Sequence, residues 1–234
     1  MNWESLDSHE SLAACAAAIF LNAIGRDPRL VLGLPTGRTP IGLYERVVAA
    51  CARRYHCFRD VTTFNLDEYA GIRGDHPGSY CTFMKRHLFD HVDLDPRRTH
   101  IPRGDAGDLA AECARYEEEI RAAGGLGLTF LGLGANGHIA FNEPGTPFDS
   151  RTHVAALSAE TRQSNAEIFA GESVPAQAIT IGIGTILDSR SIVLLASGAN
   201  KHEAVERLRS REIGEDFPAS ALWLHEDVTV LAVR

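Results

Sequence analysis

Apolar runs of strand length, alternating with stretches of helical spacing, set the tightest limit on how this chain folds. "LVLGLP" (30–35), "VTTFNLD" (61–67), "LGLTFLGLG" (126–134), "THVAAL" (152–157), "AITIGIG" (178–184), "SIVLLASG" (191–198) and "VTVLAV" (228–233) read as strands. Residues 39–54, 79–92, 108–124, 159–169 and 200–210 read as the helices between them. Strands covered on both faces lose the inside–outside alternation of half-exposed ones. The interleaving therefore implies an α/β class: an open, mostly parallel, Rossmann-like sheet with helices on both faces. No repeat, low-complexity stretch or linker interrupts the pattern, and one short helix is expected before the first strand. With 234 residues, 44% of them hydrophobic, residues 1–234 are expected to form a single domain.

In such sheets, ligands sit beyond the carboxyl ends of the strands. Four of those ends carry polar, turn-rich sequence: "PTGRTP", "NLDEYAG", "GANGHIAFNEPG" and "SGANK". The third begins inside "GLGANG" (132–137), a G-x-G-x-x-G spacing behind an apolar run. That spacing serves dinucleotides only when a helix follows, because the pyrophosphate rests on the helix N-terminus. Here Pro144, Gly145 and Pro147 follow within a turn or two, and interior prolines break helices. The dinucleotide reading fails on context.

Each loop offers a chemical role beside a structural one. In "GLPTGRTP" (33–40), Gly37, the hydroxyls of Thr36 and Thr39 and the next helix N-terminus suit a phosphate, with Arg38 as a bidentate clamp. The same residues also fit a plain turn, with Thr39 as N-cap and Pro40 at the first helical position. Lys201 is either a second anion contact or a solvated surface charge. Asp67, just past a strand, is either a base or a cap for the next turn. His138 and Glu143 share a glycine-flanked, non-helical loop. A carboxylate fixing a histidine tautomer makes an acid–base device, and a satisfied core histidine is the alternative. A metal site lacks a third ligand at a recognisable spacing.

A formal net charge of −8 argues against a nucleic-acid surface. The N-terminus lacks a positive region ahead of its apolar stretch, and no run is long enough to span a bilayer, so neither a signal peptide nor a membrane partner is expected. Cys15, Cys51, Cys57, Cys81 and Cys113 are scattered and odd in number, which fits reduced thiols in a cytoplasmic protein.

Taken together, "LGLPTGRTP", "TFNLDEYAG", "HPGSY", "GLGANGHIAFNEPG", "SRTH" and "IGIGTILD" resemble, in order, the glucosamine-6-phosphate deaminase/isomerase family. The related 6-phosphogluconolactonases share the glycine-histidine element but typically lack the F-N-E-P continuation. The resemblance implies conversion of glucosamine 6-phosphate to fructose 6-phosphate with loss of ammonia, and no cofactor. It implies ring opening by His138 backed by Glu143, proton abstraction at C2 by Asp67, and phosphate binding by Thr36, Gly37, Arg38, Thr39 and Lys201. Rival readings are a galactosamine-6-phosphate deaminase, a lactonase needing only His138, and a non-catalytic sugar-phosphate sensor. Sensors of this type carry an N-terminal DNA-binding helical segment.

Two positions depart from the family pattern. Asn136 stands where many members carry aspartate, and is expected to orient His138 by hydrogen bonding. Glu167, in "NAEIF", stands where an arginine usually contacts the phosphate. Glu167 is expected to turn away, with Arg38 supplying the missing charge. The longer hexameric relatives have a C-terminal extension beyond the equivalent of "VTVLAVR", so an unregulated monomer or weak homo-oligomer is expected.

Overall fold

The computed structural model describes residues 1–53, 58–169 and 171–234. Cys57, and Arg54 at the end of the expected 39–54 helix, lie outside the described residues. In chain order the elements are β1 (Asn2–Leu6), α1 (His9–Arg26), β2 (Val31–Leu34), α2 (Ile41–Ala52), β3 (Thr62–Asn65) and β4 (Asp67–Tyr69). Then come α3 (Tyr80–His87), β5 (Thr99–His100), α4 (Leu109–Ala122), β6 (Leu128–Gly132), β7 (His153–Ala156) and α5 (Ala159–Asn165). The chain continues with β8 (Gln177–Thr180), α6 (Ile183–Leu187), β9 (Ser191–Ala196), α7 (His202–Arg209) and β10 (Val228–Val233).

The main sheet has the order β1-β10-β9-β6-β2-β3-β5, and every neighbouring pair is parallel. Its central strands are buried along nearly their whole length, as a sheet covered on both faces requires. Leu32, Leu34, Phe130, Val193 and Leu195 pack under Leu12, Phe20, Leu43 and Val47 of α1 and α2. The opposite face, with Val31, Phe64, Leu131 and Leu194, meets Tyr116 and Ile120 of α4, Leu208 of α7 and Leu222.

Two expected strands leave this sheet. Residues 152–157 and 178–184 contribute β7 and β8, which form a separate antiparallel sheet of order β4-β8-β7. The half-exposed burial of β7 suits this smaller sheet better than a covered central position. The strand expected to run to residue 184 ends at Thr180, and α6 begins at Ile183. A Cβ on Gly182 would lie 2.2 Å from the Ser150 carbonyl oxygen, so only glycine lets the chain turn so close to that backbone. The N-terminus also differs from expectation. An edge strand, β1, precedes α1, and α1 is 18 residues long. "NWESL" is too polar to register as an apolar run because, among the described residues, one side of it pairs with no strand.

Phe130 is fully buried, with its ring centroid 5.5 Å from that of Phe20. Phe130→Ala should cost about 3–5 kcal/mol through lost transfer energy and the cavity left behind, read as a lowered denaturation midpoint.

Candidate functional site

Strands β3, β2, β6 and β9 are consecutive in the main sheet and parallel, so the four polar loops leave the same edge side by side. The chain goes from β2 to β3 on one side and later reaches β6 on the other. The crevice between β2 and β6 is therefore the switch point where α/β sheets hold ligands.

The glycines of "GLGANG" serve this edge without a dinucleotide. The Gly134 N–H donates to the His138 carbonyl at 2.8 Å, and the Gly137 N–H to the Gly134 carbonyl at 3.1 Å, which curls the loop back on itself. A Cβ on Gly134 would fall 2.3–2.4 Å from three atoms of the His138 ring. Gly137 adopts φ +88°, a left-handed conformation open to glycine. The fully buried Asn142 staples the far end of the loop, donating from Nδ2 to the carbonyls of Ile139 and Ile181, both at 2.9 Å.

Within this curl, Asn136 stands between the other two polar groups. Its Nδ2 donates to Glu143 Oε2 at 2.7 Å, and its Oδ1 lies 2.7 Å from His138 Nδ1. Direct backing of His138 by Glu143 is therefore not what the structure has, since Nδ1 and Oε2 are 4.0 Å apart. An amide oxygen only accepts, so Nδ1 carries the proton and the neutral ring keeps its lone pair on Nε2. Glu143 is held in turn by the Thr161 hydroxyl at 2.6 Å and the Ser158 N–H at 3.2 Å. Burial raises the Glu143 pKa, but the Thr161 and Asn136 hydrogen bonds, His138 and Ser158 outweigh it and leave the carboxylate below its usual range. His138 also titrates below its ordinary value, because burial and Lys201 outweigh the pull of Glu143.

Lys201, expected either here or on the surface, lines the same cavity of about 140 Å³ as His138, Asn136, Thr161 and Asn165. Burial lowers its pKa, partly offset by Glu160. Thr36, Gly37 and Thr39 are partly buried at the end of β2. Thr39 is not an N-cap: α2 starts at Ile41 behind Pro40, with no side chain capping it. Arg38 is largely exposed and ion-pairs with Glu167. The expectation that Glu167 turns away is thus corrected, because opposite charges on neighbouring loops draw it toward Arg38.

Asp67 opens β4, where it pairs with Thr180, and Thr180 Oγ1 also accepts the Phe141 N–H at 3.1 Å. One threonine thus ties the Asp67 strand to the His138 loop. Asp67 is 6% exposed, and its Oδ1 has no hydrogen-bond partner among the described residues. Burial first, and the neighbouring Glu68 second, raise its pKa well above the carboxylate range. Glu68, which sequence reasoning did not single out, is 2% exposed and pushed up to about 7, mainly by burial.

Because both acids prefer to be neutral in the fold, the native state holds more protons than the unfolded chain above the ordinary carboxylate range. Stability therefore falls as pH rises through that window, which for Glu68 ends near 7. Asp67→Asn should raise Tm more at about pH 8 than at about pH 5, since the amide removes the buried charge. An equal gain at both would show that the Asp67 charge carries no burial cost.

Comparison with known proteins adds four findings. A family model described as glucosamine-6-phosphate isomerases/6-phosphogluconolactonase matches residues 6–231. Glucosamine-6-phosphate deaminase of Bacillus pumilus (strain SAFR-032) is 49% identical over 235 residues, covering 100% of this chain and 98% of that protein. Glucosamine-6-phosphate deaminase 1 of Bacillus subtilis (strain 168) is 50% identical, covering 97% and 94%. A solved structure of a monomeric glucosamine-6-phosphate deaminase superposes with a TM-score of 0.97 at 48% identity, covering 100% of this chain and 98% of that one.

Proposed function

The chain belongs to the family of glucosamine-6-phosphate isomerases and 6-phosphogluconolactonases, and from that premise we propose that it converts glucosamine 6-phosphate and water to fructose 6-phosphate and ammonia. The observation that carries this reading is the pairing of two separate proton-transfer groups at one strand edge. A lactone hydrolase needs a single base to activate water. An aldose–ketose isomerisation needs one group for ring opening and another for the carbon acid. His138 with its free Nε2 fits the first role, and the buried, unpartnered Asp67 fits the second.

In this mechanism, neutral His138 takes the proton of the anomeric hydroxyl and returns it to the ring oxygen, opening the sugar to its aldehyde. Asp67 then removes the C2 proton, giving an enolamine. Its raised pKa makes it a better base than an exposed aspartate. A proton delivered to C1 leaves an imine at C2, and hydrolysis of that imine releases ammonia and the ketose. The steps are proton transfers, cleavage of the ring C–O bond, addition of water and expulsion of ammonia, none of which needs an outside oxidant or reductant, so the reading requires no cofactor. Asn136 and Glu143 hold the His138 tautomer through the transfers.

The phosphate is placed at the ends of β2 and β9, by Thr36, Gly37, Arg38, Thr39 and Lys201. The helix after the first loop, α2, begins without a side-chain cap, which suits an anion at its N-terminus. Residues 1–234 act as one domain and, by likeness to the monomeric relative, as a monomer or weak homo-oligomer. Among the described residues, no helix is long and apolar enough to cross a membrane, and the net charge of −8 supports a small-molecule rather than a nucleic-acid partner.

The test is release of ammonia and fructose 6-phosphate from glucosamine 6-phosphate, beside galactosamine 6-phosphate and 6-phosphogluconolactone, with solvent-deuterium incorporation at C2. Turnover of glucosamine 6-phosphate with C2 exchange is expected, and both should vanish in Asp67→Asn. Hydrolysis of the lactone alone would overturn the reading.

The Arg38–Glu167 pair generates a second prediction. An exposed ion pair is worth at most about 1 kcal/mol, so the Glu167 carboxylate is a weak competitor for a phosphate at Arg38. Glu167→Gln should lower KM by about two- to fivefold with kcat unchanged, and Arg38→Ala should raise KM. No change in KM for either variant would remove Arg38 from the phosphate site.

A further inference from the structure

Asp67 and Glu68 are consecutive residues of β4, so their side chains leave the strand on opposite sides. Asp67 has an unpartnered oxygen, whereas Glu68 is fully engaged. Glu68 Oε1 accepts the backbone N–H groups of Tyr69 and Tyr80, both at 2.9 Å, and Oε2 accepts that of Cys81 at 3.0 Å. Tyr80 and Cys81 are the first two residues of α3, whose leading N–H groups have no partner within the helix. The Ser79 hydroxyl takes the next one, from Thr82, at 3.0 Å.

The turn fastened in this way touches the other parts of the site. The Tyr80 hydroxyl lies 3.3 Å from that of Tyr69, and Thr36 is also within its hydrogen-bonding reach. The Tyr80 ring stacks on Phe141 with a centroid separation of 5.9 Å, three residues beyond His138. A cap alone does not call for this arrangement. Serine, threonine or asparagine satisfies a first turn without burying a second negative charge beside Asp67, and such burial is costly.

We propose that Glu68 is the positioning residue of this site: its buried carboxylate fastens the strand carrying Asp67 to the first turn of α3, and its charge sets the electrostatic surroundings of the Asp67 carboxylate. The inference rests on Asp67 being the base at C2.

Among the described residues, the charged and titratable groups facing this pair come from four elements and one loop. They are Tyr69 on β4, Tyr80 and Cys81 on α3, His76 in the loop before α3, Tyr44 on α2 and Tyr116 on α4. His76 is the group among them that draws Glu68 toward its charged form by attraction, while the three N–H groups favour the same form by hydrogen bonding. Two adjacent carboxyls titrate as a pair, and an ionised Glu68 makes the Asp67 proton harder to lose. Asp67 works as a base only when ionised, so activity falls as pH drops through the apparent pKa of the pair. Removing the Glu68 charge lowers the Asp67 pKa and carries the acid limb to lower pH.

The deciding variant is Glu68→Gln, which keeps the shape, loses the charge and retains one acceptor oxygen. Relative to wild type, kcat should fall at least about tenfold, as small displacements of a catalytic group do, with a much smaller change in KM. The acid limb of kcat/KM should move down by about one pH unit. Unchanged kcat and an unmoved limb would overturn the proposal, as would a rise in KM alone.

Asp67→Asn, assayed in parallel, separates the two readings. Persisting C2 exchange in that variant would defeat Asp67 as the base. A dead Asp67→Asn beside a wild-type-like Glu68→Gln would defeat only the role of Glu68. Should Glu68→Gln fail to fold, amide resonances of the 15N-labelled wild-type protein carry the test. Those of Tyr69, Tyr80 and Cys81 should shift together with one midpoint, matching the acid limb. Independent or absent shifts would overturn the proposal.

Discussion

The order in which strands enter the main sheet governs everything at its carboxyl edge. β2 lies near the middle, β3 is added to one side, and the chain later returns to lay β6 on the other. Two loops that leave neighbouring parallel strands for opposite directions must part, and the gap between them is where side chains converge without filling it. The small antiparallel sheet then roofs one flank. β8 pairs with the Asp67 strand, and its Thr180 receives the Phe141 N–H, so two segments far apart in sequence are held at one height. That pairing adds a direct tie between the Asp67 strand and the His138 loop to the spacing the main sheet already sets.

That convergence places polar groups where water is scarce. Asp67 and Asn65 both have buried oxygens without hydrogen-bond partners, and two acids sit side by side on β4. Such features lower stability, and a fold this size tolerates them because its two apolar layers on the main sheet are continuous. Helix capping differs between the helices beside the candidate phosphate loops and most of the others. α1, α3, α4 and α5 each begin behind a serine or aspartate whose side chain takes a first-turn N–H, whereas α2 and α7, beside the candidate phosphate loops, do not.

The main sheet was legible because its central strands are continuous apolar runs, and continuous burial leaves the sequence no other choice. β7 and β8 were legible as strands but not as a second sheet, since pairing partners are chosen by tertiary space and not by pattern. Asn136, His138, Glu143 and Asp67 stood out by residue type in glycine-rich loops. The hydrogen bond from Asn136 to His138 was legible too, but its continuation from Asn136 to Glu143 was not, because a link through Asn136 and direct contact of His138 with Glu143 look the same in sequence. Glu68 was hidden for a different reason. Beside Asp67 on a strand it reads as the outward, solvated residue of an alternating pair, and only the approach of α3 turns that side into interior. The Arg38–Glu167 pair joins residues far apart in the chain, and no local signal announces it.

The amide at position 136 has a consequence for direction of proton flow. A carboxylate beside Nδ1 would stabilise a doubly protonated ring by direct charge, raising the histidine pKa. Asn136 instead keeps the negative charge of Glu143 one residue away, and the distance of 4.0 Å weakens its pull on the ring. Burial and Lys201 then prevail, and His138 stays neutral below its ordinary pKa. A ring poised in this way accepts a proton at Nε2 readily at neutral pH only while a partner soon takes it back. Such a group suits a shuttle between two oxygens of one sugar better than a store of positive charge. In the proposed reaction, a substrate phosphate at Lys201 would offset the cation that, after burial, lowers the His138 pKa. Binding and ring opening would then be linked through one half-buried lysine.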